Sequence, residues 1–390
     1  MIQGNALRLT LAVAVSGAMS AAAATPDQSG AVTKMGPAPV TAAPKADALG
    51  GSEFRTGSHA KSSRSATHVV DLVAPDQAVI KSFHAHRLQQ SKTGMAKMLQ
   101  IGFGRKVNRR IDLTGLPWEP LVDGTQGARF VIASAGAAAL RAQLSLKPVK
   151  KSVSNPATIS LRFAGDDGRI FGDSGDTFAG NQAIWTPIVS GDAMTVEIVL
   201  PKGQRPSDYV LTVPKLSHLM FNPVTDSREI GKSFDDIGES GSCEQDIVCR
   251  KNPTPGFLAA ASAVAHIAIS GDEGDTRWCT GTLLNNNNSP KRSLFWTAAH
   301  CVADQAAASS FVTYWFFEAT ACDNDTASPK TVVLSGGTKL LFRNANRDTA
   351  LLELKAAPPS GAYYAGWSSE PIDTLGVSAE GIHHPAGDLK

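Results

Sequence analysis

The chain has 390 residues, of which 42% are hydrophobic and 18% are charged, a composition that excludes an intrinsically disordered protein and suits β-rich domains. Its net charge of +2 provides no basic field that would indicate a nucleic-acid partner. Beyond the N-terminus there is no run of about 18 apolar residues, which excludes a later membrane span. The length allows two domains together with non-globular segments.

Residues 1–24 have the three parts of a secretory signal peptide. Arg8 supplies a positive charge, residues 9–15 a short apolar core, and residues 20–24 an exit of small residues. A permanent membrane anchor is the alternative, but Ser-Gly at 16–17 interrupts the apolar core. We therefore predict a secreted protein that crosses the periplasm and keeps no membrane contact after signal removal. Export would place all five cysteines in an oxidising compartment, where disulfides are expected.

Residues 25–110 are predicted to form a flexible leader or prosegment. Up to about residue 65 the sequence is rich in Ala, Pro, Gly, Ser and Lys without a sustained apolar period. Such a segment buries too little apolar surface to offset its ordering entropy. Residues 81–89 permit an amphipathic helix, and residues 105–110 are mostly basic.

Residues 111–221 contain short strand-like runs separated by clusters of Gly, Asp and Pro. Several runs alternate with a period of two residues, as in Thr-Val-Glu-Ile at 195–198. This spacing predicts an antiparallel β-sandwich that serves as a prodomain or accessory domain. The predicted strands cover residues 129–133, 139–146, 158–163, 183–189, 194–200 and 209–213.

The sandwich region contains the sequence Gly-Asp-Ser-Gly at 172–175, which copies part of a serine-protease nucleophile loop. Polar turn residues flank it on both sides, so we interpret Ser174 as part of a hairpin turn. A polar connector follows at 222–242. All five cysteines lie after it, which indicates that a disulfide-bearing domain occupies residues 243–390.

Two segments of the last region carry candidate catalytic residues. Residues 294–302, LFWTAAHCV, form an apolar β-favouring run that ends at His300 and Cys301. Asp348 follows 48 residues after the histidine and directly precedes the apolar run TALLEL. Taken separately, such a histidine is more often a buried or metal-binding residue, and such an aspartate is usually a turn residue.

Together and in this order, the two segments resemble those of trypsin-like serine proteases. A serine nucleophile needs a base to take its proton and a carboxylate to orient that base. The resemblance implies that His300 is the general base and that Asp348 is its partner carboxylate. It also implies protein or peptide substrates and no metal or organic cofactor. The implied fold is mainly β: an antiparallel β-sandwich followed by an incomplete trypsin-like double β-barrel.

Cys279 lies in the run WCTGTLL, which matches the strand that precedes the histidine strand in that family. Pairing with Cys301 would tie the histidine loop to this strand. A zinc site built from Cys279, Cys301 and a histidine is the alternative. The sequence contains no Cys-x-x-Cys pair, and the compartment is oxidising, so disulfide formation is favoured.

Five further segments resemble bacterial lysyl endopeptidases, in the same order along the chain. They are SGSCEQDIVC at 240–249, FVTYW at 311–315, Cys322, AGW at 365–367 and GIHHP at 381–385. This narrower resemblance implies cleavage after lysine. It also implies the disulfides Cys249–Cys322 and Cys279–Cys301, and it leaves Cys243 without a partner in this chain.

No Gly-x-Ser-Gly sequence follows Asp348. Residues 243–390 number about 150, whereas a two-barrel protease domain needs roughly 200–250. We therefore expect this chain to be a truncated copy that lacks the nucleophile and is inactive by itself. The alternative is an inactive homologue whose β-sandwich is a binding module. His383 and His384 could suggest a metal site, but neighbours on a strand point to opposite faces. The family resemblance implies that this pair lies on a structural strand near the active-site cleft.

Overall fold

A computed structural model describes residues 34–41, 53–56, 67–92, 98–150, 155–224, 244–324, 326–371 and 374–390. The predicted signal peptide, most of the connector and Cys243 lie outside these residues. Within them the protein is mainly β, as predicted. None of the helices in these ranges is long and apolar enough to cross a membrane.

The described part of the chain contains 22 strands and three α-helices. The N-terminal strands are β1 (Lys34–Met35), β2 (Ala38–Pro39), β3 (Thr67–Leu72), β4 (Leu99–Ile111), β5 (Glu119–Pro120), β6 (Gln126–Ser134), β7 (Ala139–Pro148), β8 (Ser160–Ala164), β9 (Ile170–Ser174), β10 (Ile184–Trp185), β11 (Val189–Ser190), β12 (Ala193–Leu200) and β13 (Tyr209–Leu219). The later strands are β14 (Val264–Ser270), β15 (Thr276–Leu284), β16 (Leu294–Thr297), β17 (Val312–Trp315), β18 (Val332–Leu334), β19 (Thr338–Asn344), β20 (Thr349–Leu354), β21 (Tyr363–Tyr364) and β22 (Trp367–Ser368). The helices are α1 (Gln77–Lys92), α2 (Pro255–Ala263) and α3 (Gln305–Ser309).

The N-terminal region, residues 67–224, is a sandwich of two sheets. One sheet has the order β3-β6-β12-β8-β9, and β5 pairs with the first residues of β6 on the side away from β12. The facing layer is formed by β10, β11, β7, β13 and β4. The alternating apolar side chains of both layers meet in one core, to which Phe130, Leu144 and Val196 belong. The predicted sandwich is confirmed, with one difference: β3 pairs with β6 in parallel.

Ordered elements begin well before residue 111, inside the range predicted to be a leader. These elements are β3, α1 and the 13-residue strand β4. The basic residues of β4 lie toward its exposed end, and its apolar residues are concentrated at the other end. The strand therefore lacks a regular period. It is held by backbone pairing with β13 along nearly its whole length, which no local pattern indicates.

The C-terminal region, residues 244–390, contains a curled antiparallel half-barrel. Its strands follow the order β18-β17-β14-β15-β16-β20-β19. Inward side chains such as Ile267, Phe295, Trp315 and Leu352 are fully buried and form its core. In β20 the buried and partly buried residues alternate strictly, which is the period expected of a strand with one face on a core.

The two regions share one continuous sheet of 12 strands, because β4 pairs with β13 on one side and with β15 on the other. A common apolar core containing Phe83, Ile101, Trp278 and Tyr314 lies at this junction. Arg141 of β7 crosses it and donates hydrogen bonds to the carbonyl of Ser310 at 2.9 Å and the hydroxyl of Ser270 at 3.1 Å. Burial lowers the pKa of this guanidinium to about 9.

Candidate active site

His300 follows β16, the strand held between β15 and β20. Phe295 and Thr297 of this strand are buried, whereas Trp296 points outward and is 50% exposed. The hydroxyl of Thr297 donates to the carbonyl of Thr280 at 2.7 Å. The strand end is therefore fixed on its neighbour, and the chain turns directly after it to present the histidine.

Asp348 lies in the turn between β19 and β20. Its φ is 47°, in the left-handed region that aspartate tolerates better than most residues. Thr297 pairs with Ala350 in the ladder between β16 and β20. The end of the histidine strand and the start of the aspartate strand therefore lie side by side, which explains how residues far apart in the sequence meet.

The aspartate holds the histidine through both carboxylate oxygens. Asp348 Oδ2 lies 2.6 Å from His300 Nδ1, and Asp348 Oδ1 accepts the backbone N–H of His300 at 2.8 Å. A carboxylate accepts only, so this contact places a proton on Nδ1 and leaves Nε2 as the basic nitrogen. The His300 side chain is 25% exposed. The pair can therefore take a proton from a group that approaches the histidine from solvent.

Two disulfides lie in the C-terminal region, and they are the two that the family resemblance implies. The histidine-loop disulfide joins Cys279 of β15 to Cys301, and the second disulfide joins Cys249 to Cys322. Cys279, His300 and Cys301 are close enough together to share a metal ion. Because both sulfurs are bonded to each other, neither is available as the thiolate that zinc binds. These residues therefore do not fit the zinc alternative.

Arg343 of β19 supports the histidine turn, and sequence reasoning missed it. Its Nε donates to the carbonyls of Val302 at 2.7 Å and Ala299 at 3.2 Å, the residues on either side of the His300–Cys301 pair. The residue lies five positions before Asp348 on the strand that leads to it. The short distance in sequence from Arg343 to Asp348 is the only sequence signal for a supporting role, because arginines are common on exposed strand faces.

Ser174 lies outside this site. It is the last residue of β9 and pairs with Ser160 across the ladder, and its hydroxyl contacts the carboxylate of Asp176. The prediction of a hairpin turn at this position is wrong in detail, because the turn of the β8–β9 hairpin lies at residues 165–169. After Ser174 the chain continues as a 3₁₀ turn at residues 175–178, in which Gly175 and Phe178 are buried.

The predicted strand at His383 and His384 is also wrong. These residues have no regular structure and lead into a 3₁₀ turn at Pro385–Gly387, where proline lacks the N–H that a ladder requires. The two side chains nevertheless differ as expected, since His383 is half exposed and His384 is 5% exposed. The His384 ring stacks on His266 with centroids 4.8 Å apart, which no sequence pattern indicated.

The curled half-barrel with a histidine at one strand end and an aspartate at the next corresponds to the first barrel of trypsin-like serine proteases. Comparison with known families narrows this class. Residues 71–220 match the lysyl endopeptidase N-terminal domain, and residues 237–390 match the lysyl endopeptidase C-terminal domain. The chain is therefore a homologue of lysyl endopeptidases, with regions that correspond to both domains.

One relative is the lysyl endopeptidase of Pseudomonas aeruginosa. It is 45% identical over 297 residues, a stretch that covers 75% of this chain and 63% of the relative. The chain thus spans less than two thirds of the length of the curated protein that it matches.

Proposed function

We propose that this chain supplies the general base and the orienting carboxylate of a secreted serine endopeptidase that cleaves after lysine. The observation that carries the proposal is the double contact of Asp348 with the ring and the backbone N–H of His300. Lysine specificity is supported by the matched families and by the name of the Pseudomonas aeruginosa relative. Secretion is supported by the predicted signal peptide together with two disulfides.

In the proposed mechanism, Nε2 of His300 takes the proton of a serine hydroxyl as that oxygen attacks the substrate carbonyl. Asp348 keeps the imidazole in the tautomer in which Nε2 is the nitrogen that accepts the proton. Its charge then stabilises the imidazolium that forms. The imidazolium next donates this proton to the leaving amine. The histidine-loop disulfide and Arg343 limit the movement of the turn during both transfers.

The N-terminal region is the partner that we propose for the protease region. It shares a sheet and a core with the half-barrel, which is the arrangement expected of a prodomain that folds against its protease. We place the cleavage that would separate them in the connector at 222–242. A polypeptide of residues 1–390 contains no Gly-x-Ser-Gly after Asp348, and we expect it to show no peptidase activity when assayed alone.

A chimera tests the proposed catalytic roles. Residues 1–390 of this chain replace the homologous part of the Pseudomonas aeruginosa relative, and the secreted product is assayed on lysyl peptide substrates. We expect activity in the chimera. Substituting His300→Ala should lower kcat/KM by about 10⁴-fold or more, and Asp348→Asn by about 10⁴-fold, because each removes part of the proton-transfer pair.

The matched control is His383→Ala, which removes a half-exposed histidine of the same region and should leave kcat/KM unchanged. Activity that survives His300→Ala would show that the base is assigned wrongly. A chimera that is folded and secreted but inactive would favour the alternative, an inactive homologue that acts through its β-sandwich.

A further inference from the structure

Residues 34–40, here called the leader latch, lie as an extended segment along the chain that follows the aspartate strand. Strand β1 pairs antiparallel with β22, and β2 pairs antiparallel with β21. The leader latch thus belongs by contact to the C-terminal region, although more than 300 residues separate the paired segments. The paired residues are Lys34 with Ser368, Met35 with Trp367, Ala38 with Tyr364 and Pro39 with Tyr363.

Two further contacts anchor the leader latch. Val40 is 8% exposed and belongs to the core of the half-barrel, and its N–H donates to the carbonyl of Ala362 at 2.9 Å. The Asn285 amide donates to the carbonyl of Gly36 at 2.7 Å. Asn285 is itself buried at the end of β15. The segment therefore combines backbone pairing, one buried apolar side chain and one side-chain hydrogen bond.

The surface that receives the leader latch is shaped for close backbone approach. A Cβ atom added at Gly366 would lie 2.6 Å from the carbonyl oxygen of Met35 and 3.0 Å from the backbone of Gly36 and Pro37. No residue with a side chain fits there without displacing the segment. Gly381, in the same region, has nothing within 4 Å of such an atom.

The next described leader segment, residues 53–56, binds the other region. Both the backbone N–H and the hydroxyl of Thr56 donate to a carboxylate oxygen of Glu197 at 2.7 Å. Glu197 lies on β12 of the sandwich and is fully buried, with Arg162 paired to it at 3.1 Å. The leader therefore connects the half-barrel to the sandwich independently of the connector.

The leader latch lies away from the catalytic pair. It contacts Asn285, directly after the end of β15 where Leu284 pairs with Leu294. His300 follows the opposite end of the ladder, where Gly281 pairs with Thr297. The leader latch and His300 therefore lie at opposite ends of the β15–β16 ladder.

We propose that the leader latch holds the N-terminal region on the C-terminal region after the connector is cut. Release of the latch then determines how long the two regions stay bound. This inference rests on the proposed role of the N-terminal region as a separable prodomain. All five cysteines of the chain lie at or after Cys243. No disulfide can therefore join the two regions, and the bound state depends on non-covalent contacts alone. Two linked attachment points, the leader latch and the β4–β15 pairing, keep a partner bound longer than either alone.

The test cuts the connector with an added protease at a recognition site inserted among residues 225–242. The purified, cut protein is diluted, and the dissociation of the N-terminal region is followed over time by gel filtration. Two variants remove the latch: deletion of residues 34–41, and Gly366→Ala. Both should release the N-terminal region about tenfold faster or more than the unmodified protein, whereas the control Gly381→Ala should release it at the unmodified rate.

The deletion keeps the proposal testable if Gly366→Ala does not fold, because it leaves the C-terminal region unchanged. Release at the unmodified rate in the deletion variant would overturn the proposal. So would equal acceleration by Gly381→Ala, since that would indicate general destabilisation. The added protease makes the cut, so the result does not depend on endopeptidase activity. If the chimera is inactive but release still depends on the latch, the proposed function is contradicted and the proposed role of the latch stands.

Discussion

The buried pair of His266 and His384 makes the stability of this protein sensitive to acid. His266 is fully buried on β14 and packs against Trp278 and Phe317 as well as His384. Neither of its ring nitrogens has a hydrogen-bond partner, and His384 Nε2 also lacks one. The nearby charged groups are Lys390 and His383, both cationic when protonated. The carbonyl of Asp388, 3.0 Å from His384 Nδ1, favours a protonated ring, but burial outweighs this contact.

Burial lowers the pKa of His266 to about 3, from an ordinary value near 6.5. In the unfolded chain the residue takes up a proton as the pH falls below about 6.5, whereas the folded protein resists protonation until about pH 3. Stability is therefore complete above about pH 6.5 and is lost as the pH falls toward 3. At pH 5 the loss from His266 alone amounts to about 2 kcal/mol of unfolding free energy. The lowered pKa of His384 acts in the same direction.

The substitution His266→Phe removes the titrating ring and keeps an aromatic side chain in the stack. Urea unfolding, with the disulfides intact, would be measured at pH 7.5 and pH 5.0. Between these values the variant should lose about 2 kcal/mol less stability than the unmodified protein. At pH 7.5 it should be at least as stable, because two unsatisfied ring nitrogens are gone. The control His383→Phe changes a half-exposed neighbour and should keep the original pH dependence. Equal losses in His266→Phe and the unmodified protein would refute the reasoning.

Two predictions concern the supports of the histidine turn. Arg343→Met should lower kcat/KM of the chimera about 10- to 100-fold, mainly by lowering kcat, because a displaced histidine transfers protons poorly. The control Lys339→Met, on the same strand, should leave kcat/KM unchanged. Equal kinetics in the two variants would exclude a positioning role for Arg343. Replacing both cysteines of the histidine-loop disulfide with alanine should lower the unfolding free energy by about 3 kcal/mol. The same replacement in the second disulfide, which closes a longer loop, should lower it by about 1 kcal/mol more. Only loss of the histidine-loop disulfide should also reduce kcat, so a similar kinetic loss in both double variants would contradict its local role.

Much of the candidate site could be predicted because the information is local. The apolar, β-favouring runs at β16 and β20 predict strands. His300 follows the first strand closely and Asp348 directly precedes the second, so the sequence places both near strand ends. Chain order and spacing match a known family, which also implied the cysteine pairs. Period-two alternation reports which face of a strand is buried, and in this region local pattern and final fold agree.

Other parts of the fold were decided only by packing between distant segments. Strand β4 has no regular apolar period, yet it joins the two regions because its backbone pairs on both sides. The leader latch has a composition typical of flexible segments, yet it is extended where its backbone pairs with β21 and β22 beside Gly366. A sequence shows which face a strand buries, but the partner that satisfies its backbone hydrogen bonds is chosen in the tertiary structure.

The sequence by itself thus determined the β-rich class, the order of the two regions and the identity of the candidate catalytic pair, since each depends on residues close together or on a short motif. The tertiary structure decided the shared sheet, the arginine that supports the histidine turn, the leader latch and the stacked histidines. Each of these joins side chains or backbones that are far apart in the chain. Such contacts are selected by shape, burial and hydrogen-bond geometry, which have no counterpart in local sequence periodicity.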